Sequence, residues 1–451
     1  MFKIIFYFKK KEQKNIMSNY EKVYEIIDQE KDFLLNLTQE VVKTPSVNPK
    51  LEKNDKLNNE PAVQDIIEKA LNEEGFSIDR WDVFEGRPNV IGTKKGNENK
   101  SLILNGHIDV VPTGDLSAWS VDPFGGEIKD GKLFGRGAVD MKSGVTLTIA
   151  AARAIRLAGI ELDGTLSIHS VVDEETGGSG SIDAVKKGYL AKSIITTEPT
   201  WGNIIPAEGA LEWVRITIPG RSAHAGFRFN EVWPQHHTSE RLLPGVNAIE
   251  LSTRFLNALR DFEKQRCANS YHPLCPPGLA TINPGVIQGG VGEGKDGLPI
   301  IMSNPAMVSD IVVIDLDYKF LPNEKQSEVR REFEDFVHHF SQTDPWLKEN
   351  PIRVKWELGG LYFPPMDTPI DHPLVKSLLS HNKNLGKNPE IKAFEAVADV
   401  CHYAGAGVTG AAMFGASGDG FHGIDEYVEI ESLMNATKVV AGAVIDMCGT
   451  K

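Results

Sequence analysis

The chain has 451 residues, of which 41% are hydrophobic, and its formal net charge at pH 7 is −14. Because this length exceeds what one hydrophobic core usually serves, we expect two domains. The acidic balance argues against a nucleic-acid-binding protein, which needs a basic surface. The composition is that of an ordinary globular protein, and the acidity says nothing about the substrate.

The amino-terminal residues form a short apolar run that is followed by lysines. This run is too short for a membrane span or a signal peptide, and we interpret residues 1–16 as a dispensable N-terminal extension before Met17. No internal apolar segment is long enough to cross a bilayer, so we expect no membrane partner. The four cysteines show neither disulfide-framework nor metal-type spacing, which indicates a reducing compartment and a cytoplasmic location.

Hydrophobic periodicity predicts alternating helices and strands in the first half of the chain. In chain order the predicted elements are a helix at 20–43, a helix at 61–74, strands at 77–81, 89–92 and 102–106, and a helix at 144–158. This alternation predicts an α/β fold with a mostly parallel sheet and helices on both faces.

After Glu198 the pattern changes to half-exposed strands and long helices. The predicted elements here are strands at 211–218 and 309–320 and helices at 246–266 and 324–340. We interpret this stretch as a compact insert with an antiparallel sheet. The prolines and aspartate of residues 364–369 indicate a linker back to the first domain.

His107 ends a buried strand, at the edge where open α/β sheets place their sites. Asp109 points the same way, and its carboxylate can hold the imidazole in one tautomer and leave the other nitrogen for a metal. Asp140 follows a glycine-flanked turn that can bring its carboxylate to the same point. Taken alone, such a histidine is more often a hydrogen-bonded core residue than a ligand.

Further candidate ligands in the sequence favour a metal ligand over a core residue at His107. A second apolar run ends in the adjacent acids Glu174 and Glu175, a third ends in Glu198, and a glycine-rich loop near the end of the chain carries His422. Two histidines, one aspartate and three glutamates form a ligand set suited to zinc, cobalt or manganese. The sequence therefore predicts a metal centre.

These five separated segments, in this order, resemble the M20 metallopeptidase family, the group of acetylornithine deacetylase, succinyl-diaminopimelate desuccinylase, aminoacylase and carboxypeptidase G. The resemblance extends from about Tyr20 to Met447. It implies two divalent metal ions per chain, zinc in first place, and a cis peptide bond after the bridging aspartate. The implied ligands are His107 and Glu198 for one ion, Glu175 and His422 for the other, and Asp140 as the bridge between them.

The same resemblance implies the remaining catalytic roles and the domain organisation. Glu174 matches the general base, and Asp109 matches the carboxylate behind the metal-binding histidine. A catalytic domain in two parts, residues 17–209 and 362–451, is expected to enclose a lid and dimerisation domain, residues 210–361. We therefore expect a homodimer that forms through the lid domain.

Two lid residues match family positions. His224 matches a histidine that reaches the metals of the partner subunit and helps to bind the developing oxyanion, and Asn283 matches an asparagine that contacts substrate. The segment 227–243 lengthens the loop after His224 beyond the usual family form, and we interpret it as a surface insertion.

Departures from the family pattern bear on the substrate. Desuccinylases carry arginines after the late aspartate and on the lid strand, whereas here Asp399 is followed by Val-Cys-His and the strand carries Lys319. Lysine keeps the charge but not the bidentate fork of arginine. Glu208 occupies a position where arginine or lysine is frequent. These changes disfavour a dicarboxylate substrate, although Asp399 and Lys319 stay candidates for substrate binding.

The residues predict metal-assisted amide hydrolysis, with Glu174 taking the proton of the attacking water and delivering it to the leaving amine. The favoured substrate is a small N-acyl amino acid. A short peptide, as in the dipeptidases and carboxypeptidases of the family, is the alternative. A catalytically inactive binding protein on the same scaffold is a third hypothesis, but it predicts gaps in the ligand set, and this chain has none.

Overall fold

The computed structural model describes residues 19–227 and 245–451. The predicted extension at 1–16 and nearly all of the lengthened loop at 227–243 lie outside the described residues. The described residues divide into two compact units: those up to 208 together with 366–451 form the first, and those between 209 and 365 form the second. Across the described ranges, no helix has both the length and the hydropathy that a membrane span requires.

The strands within residues 19–227 and 245–451 lie in three sheets. In chain order they are β1 (Ser77–Phe84), β2 (Arg87–Lys94), β3 (Asn97–His107), β4 (Ile128–Lys129), β5 (Lys132–Phe134), β6 (Gly164–Val171), β7 (Ser193–Thr196), β8 (Ile204–Glu208), β9 (Ala210–Pro219), β10 (Ile282–Glu293), β11 (Pro299–Ile301), β12 (Ile311–Phe320), β13 (Arg353–Lys355), β14 (Tyr362–Phe363), β15 (Met366–Asp367), β16 (Ile391–Phe394), β17 (Gly410–Met413), β18 (Gly418–Asp419) and β19 (Tyr427–Glu429).

The α-helices of the same ranges pack on these sheets. They are α1 (19–29), α2 (Lys31–Lys43), α3 (Glu60–Glu73), α4 (Ser143–Leu157), α5 (Ser179–Lys186), α6 (Ala248–Asn269), α7 (Gln326–Gln342), α8 (Pro345–Glu349), α9 (Pro373–Asn384), α10 (Val400–Gly405) and α11 (Ile430–Cys448). The single helix predicted over 20–43 is thus two helices, because the chain turns at Glu30, whose carboxylate accepts a hydrogen bond from Arg153.

The first unit is built on a nine-stranded sheet with the order β1-β2-β6-β3-β7-β17-β8-β15, and β16 pairs with β8. The central strands β6, β3, β7 and β17 are parallel, so their carboxyl ends meet at one edge. The strand pairs at one margin of the sheet, β1 with β2 and β2 with β6, are antiparallel. The predicted α/β class is confirmed, with parallel pairing concentrated in the centre of a mixed sheet.

Helix α4 is buried along most of its length behind this edge, as its alanine and leucine content predicted. The first turn of α4 lies close to the backbone of Thr197. A Cβ added at Gly144 would lie 2.3 Å from the carbonyl oxygen of Thr197. Only glycine permits that approach. The helix therefore packs directly against the segment that follows β7.

A small antiparallel sheet of the first unit has the order β18-β19-β5-β4. Tyr427 of β19 pairs with Phe134 of β5, so the loops next to these strands are brought together although they are far apart in sequence. The second unit has a separate antiparallel sheet, with the order β11-β10-β12-β9-β13 and β14 paired with β9. Helices α6 and α7 bury their apolar faces in the core of that unit.

The contrast between buried and exposed leucines on α4 gives a test of this packing. Leu147 is fully buried, whereas Leu157 at the end of the helix is 40% exposed. Leu147→Ala should lower the free energy of unfolding by about 2–5 kcal/mol, since it leaves a cavity. Leu157→Ala should change it by no more than about 0.5 kcal/mol. Urea-induced unfolding measures both, and equal effects would contradict the packing.

Candidate metal centre

His107 is the last residue of β3, between the parallel neighbours β6 and β7. Its side chain is buried, and its Nδ1 lies 2.9 Å from the backbone carbonyl oxygen of Asp109. Because a carbonyl only accepts, the Nδ1 atom donates, and Nε2 is the nitrogen that faces the carboxylates. Nε2 lies 3.3 Å from an oxygen of Asp140 and 3.7 Å from an oxygen of Glu198.

The carboxylate of Asp109 has a different position from the one predicted. Its nearest oxygen is 3.7 Å from Nδ1 of His107, so the backbone carbonyl and not the carboxylate orients the imidazole. The carboxylate instead accepts hydrogen bonds from the backbone N–H groups of Glu174, at 3.2 Å, and Glu175, at 3.3 Å. Asp109 therefore holds the segment that carries the two adjacent glutamates.

Glu174 and Glu175 lie on a 3₁₀ turn, Glu174–Thr176, and not on the end of a strand as predicted. Strand β6 stops at Val171, and Asp173 has a positive φ of 72° that reverses the chain. The turn sends the two side chains apart: an oxygen of Glu174 is 3.8 Å from Nε2 of His107, and one of Glu175 is 2.9 Å from Nε2 of His422.

Asp140 lies between the two histidines. One carboxylate oxygen is 3.3 Å from Nε2 of His107 and the other is 3.4 Å from Nε2 of His422. The peptide bond between Asp140 and Met141 is cis, which confirms the expectation from the resemblance. Ligand atoms form two groups, each within 4.8 Å, that share this residue; the groups are His107, Asp140, Glu198 and Asp140, Glu175, His422.

The chemistry of this cluster fits divalent cations. Burial raises the pKa of Glu174 and of Glu198 well above the usual range, because lost hydration disfavours the charged form. Within the described part of the chain, Oε1 of Glu198 is buried and has no hydrogen-bond partner. Buried carboxylates that converge need compensating positive charge, and the histidine and carboxylate donors suit zinc.

Both histidines bind protons more strongly than an ordinary imidazole, because carboxylates raise their pKa values. Hydrogen bonds to Asp140 and Glu175 raise the pKa of His422 to about 10. Burial alone would lower the pKa of His107, but its hydrogen bond to Asp140 and the charge of Glu198 raise it well above the usual value. These protons occupy nitrogens that a metal would use.

A buried polar network lies behind the turn that carries Glu174 and Glu175, and the sequence pattern does not predict it. The Asn48 side-chain amide donates to carboxylates of Asp109, at 2.8 Å, and Asp173, at 3.2 Å. Asp173 in turn forms ion pairs with Arg87 and Lys50. Nothing in one sequence marks Asn48, since a loop asparagine is most often a turn residue; only the fold places it between these two aspartates.

Asp399 lies in the first unit, directly before α10, and is 1% exposed. One of its oxygens accepts a hydrogen bond from Ser181, and burial raises its pKa to about 7. Glu208, at the end of β8, is also buried and accepts the backbone N–H of Ala398. Substrate binding by Asp399 stays a prediction.

His224, Asn283 and Lys319 lie in the second unit. Nδ1 of His224 accepts the backbone N–H of Gly226 at 3.0 Å, so the imidazole proton is on Nε2, where it can be donated. Asn283 is exposed on β10, and Lys319 lies on the neighbouring strand β12. Their roles toward substrate stay predictions.

The chain is similar to known proteins over most of its length. The family model for peptidase family M20/M25/M40 matches residues 103–446. The chain is 34% identical over 406 residues to N-formyl-4-amino-5-aminomethyl-2-methylpyrimidine deformylase of Bacillus subtilis (strain 168), covering 87% of this chain and 91% of the relative.

Solved structures show the same fold at low identity. Aminopeptidase PepT of Bacillus cereus ATCC 10987 superposes with a TM-score of 0.68 at 19% identity, covering 92% of this chain and 98% of that chain. The YXEP protein of Bacillus subtilis, a dinuclear metal binding peptidase, has a TM-score of 0.61 at 15% identity, with 94% and 100% coverage.

The fold and the donor set define a metal-dependent hydrolase of amide bonds. The chain belongs to peptidase family M20/M25/M40.

The protonated histidines predict that metal binding depends on pH. Cation and proton compete for Nε2 of His422, whose pKa is about 10, so raising the pH from 6 to 8 should tighten binding at this subsite. We expect about a tenfold change in apparent affinity per pH unit for each proton released. Competition with a chromophoric chelator measures this slope, and a slope of zero would contradict the assignment. His338→Gln, an exposed change on α7, should leave it unaltered.

Proposed function

We propose that the protein removes a short N-acyl group, formyl in first place, from a small amine, using two divalent ions per chain. The observation that carries this proposal is the convergence of two ligand groups on a shared aspartate, with a largely buried glutamate, Glu174, beside them that belongs to neither group. The similarity to a deformylase over most of both chains supports formamide as the amide. The corresponding substrate is an N-formyl aminomethylpyrimidine.

In this proposal the two ions are held by the residues of the two ligand groups; these are His107, Asp140, Glu175, Glu198 and His422. Bound there, divalent cations would polarise the amide carbonyl and acidify water. Zinc is the first candidate, and cobalt or manganese would suit the same donors.

Glu174 is proposed as the general base. Its side chain is 13% exposed and lies beside His107, and the carboxylate of Asp109 accepts its backbone N–H, which holds the turn from which the side chain extends. A carboxylate there can accept the proton of the attacking water and return it to the nitrogen of the leaving amine. The Nε2–H of His224 is proposed as a donor to the oxygen of the carbonyl as negative charge develops on it.

The acidic residues Glu208 and Asp399, at two positions that bear on substrate specificity, support a substrate without carboxylates. Glu208 and Asp399 are buried, and neither position nor its neighbours offers a guanidinium for a second carboxylate. A single carboxylate is compatible with the lysine at 319 on the second unit. N-acyl amino acids are therefore the second candidate class of substrate.

A substrate panel together with Glu174→Gln tests the proposal. We expect release of formate from N-formyl aminomethylpyrimidine to exceed deacylation of N-acetyl amino acids and cleavage of dipeptides. Glu174→Gln should keep both ions and lower kcat by about 10²- to 10⁴-fold, because an amide cannot accept the proton. Glu73→Gln, at an exposed position on α3, is the control. Turnover of dipeptides alone would contradict the proposed substrate. A wild-type kcat in Glu174→Gln would contradict the role of Glu174 as general base.

We further propose a homodimer formed through the second unit, in which His224 of one chain serves the site of the other. Co-refolding inactive His224→Ala chains with inactive Glu174→Gln chains should then yield hybrids with one complete site. We expect up to half of the activity of the wild-type dimer per hybrid, measured after separation of the hybrids by a charge tag. Verified hybrids without activity would show that His224 acts within its own chain or has no role.

A further inference from the structure

The two ligand groups are carried by different kinds of structure. His107 ends the parallel strand β3 and Glu198 closely follows its neighbour β7, so the large sheet sets their positions. Asp140 and His422 lie instead on loops next to β5, β18 and β19 of the small sheet. Such loops need additional interactions to keep a fixed separation.

Glu426 provides these interactions from a fully buried position. One carboxylate oxygen accepts the backbone N–H groups of Val139, at 3.0 Å, and Asp140, at 3.1 Å. The other accepts the backbone N–H of Gly137, at 3.0 Å, and Nη1 of Arg136, at 2.6 Å. Four donors thus converge on one carboxylate, and one of them belongs to the bridging ligand itself.

Arg136 extends the connection to the other loop. Its Nη2 donates to the backbone carbonyl of Gly423, at 2.6 Å, the residue next to His422. The backbone carbonyl of Glu426 accepts the N–H of Gly135, at 2.8 Å, which closes the connection between the two loops. The guanidinium is also buried and lies over the ring of Trp119.

We propose that the buried pair Arg136–Glu426 is a positioning device that sets the separation of Asp140 and His422 and so determines occupancy of the second metal subsite. This inference rests on the two-ion site of the proposed function. Neither residue is a ligand or touches substrate in this assignment. Residues behind a metal site commonly alter its affinity by about 10- to 100-fold when changed.

Glu426→Gln is the direct test because it preserves size. Whichever way the new amide is turned, its NH₂ group faces two N–H donors, so either the Asp140 side or the Arg136 side loses its acceptor. We expect the second ion to bind about 10- to 100-fold more weakly and the first ion to keep its affinity. Equilibrium dialysis with elemental analysis measures both affinities without reference to turnover.

Glu74→Gln is the matched control. Glu74 is also a buried carboxylate of the first unit, and it accepts hydrogen bonds from Arg153 and Arg156 without contacting either ligand loop. This variant should bind two ions with wild-type affinity. An equal loss of the second ion in Glu74→Gln would show that any buried ion pair has this effect and would overturn the proposal.

Arg136→Lys separates positioning from folding. Lysine keeps the positive charge but, as a single ammonium group, cannot reproduce the planar fork that contacts both Glu426 and Gly423. We expect this variant to bind the second ion about tenfold more weakly and to keep the circular dichroism spectrum of the wild type. If Glu426→Gln and Arg136→Lys both bind two ions like the wild type, or if neither variant folds, the proposal that this pair positions the second subsite is wrong. If the wild type itself binds fewer than two ions, the two-ion premise fails instead.

Discussion

The structure depends on holding several largely buried carboxylates close together. Four acidic side chains lie around the two histidines; they are Asp140, Glu174, Glu175 and Glu198. Their mutual repulsion and lost hydration oppose ionisation, which is why burial raises the pKa of three of them. Such an arrangement is stable only if backbone donors fix the side chains and cations compensate the charge.

The chain meets this constraint by assigning one further buried acid to each ligand loop. Asp109 accepts the N–H groups of the turn that carries Glu174 and Glu175, and Glu426 accepts those around Asp140. Both are charge-assisted hydrogen bonds in a region of low dielectric, where such bonds are stronger than at the surface. The ligands are thereby aimed by residues that never need to contact a metal.

The division of ligands between two sheets gives the two subsites different mechanical support. The subsite with His107 and Glu198 is built on neighbouring parallel strands, whose register is set by a continuous ladder of backbone hydrogen bonds. The subsite with Glu175 and His422 joins a turn to a loop. Asp140 belongs to both subsites, but only the second draws its other two ligands from a turn and a loop.

The sequence by itself determined the α/β class and the placement of His107 and Glu198 at one sheet edge, because the carboxyl ends of parallel strands meet there. The assignment of Asp140, Glu175 and His422 to the same centre depended on the family resemblance. The sequence could not assign the contacts of Asp109, since a spacing of two residues does not distinguish a carboxylate from a backbone carbonyl as the acceptor for His107. Nor could it show that Glu174 and Glu175 diverge through a 3₁₀ turn. The contributions of Asn48, Arg136 and Glu426 were decided only by tertiary structure, because their partners are distant in sequence and a buried ion pair leaves no local pattern.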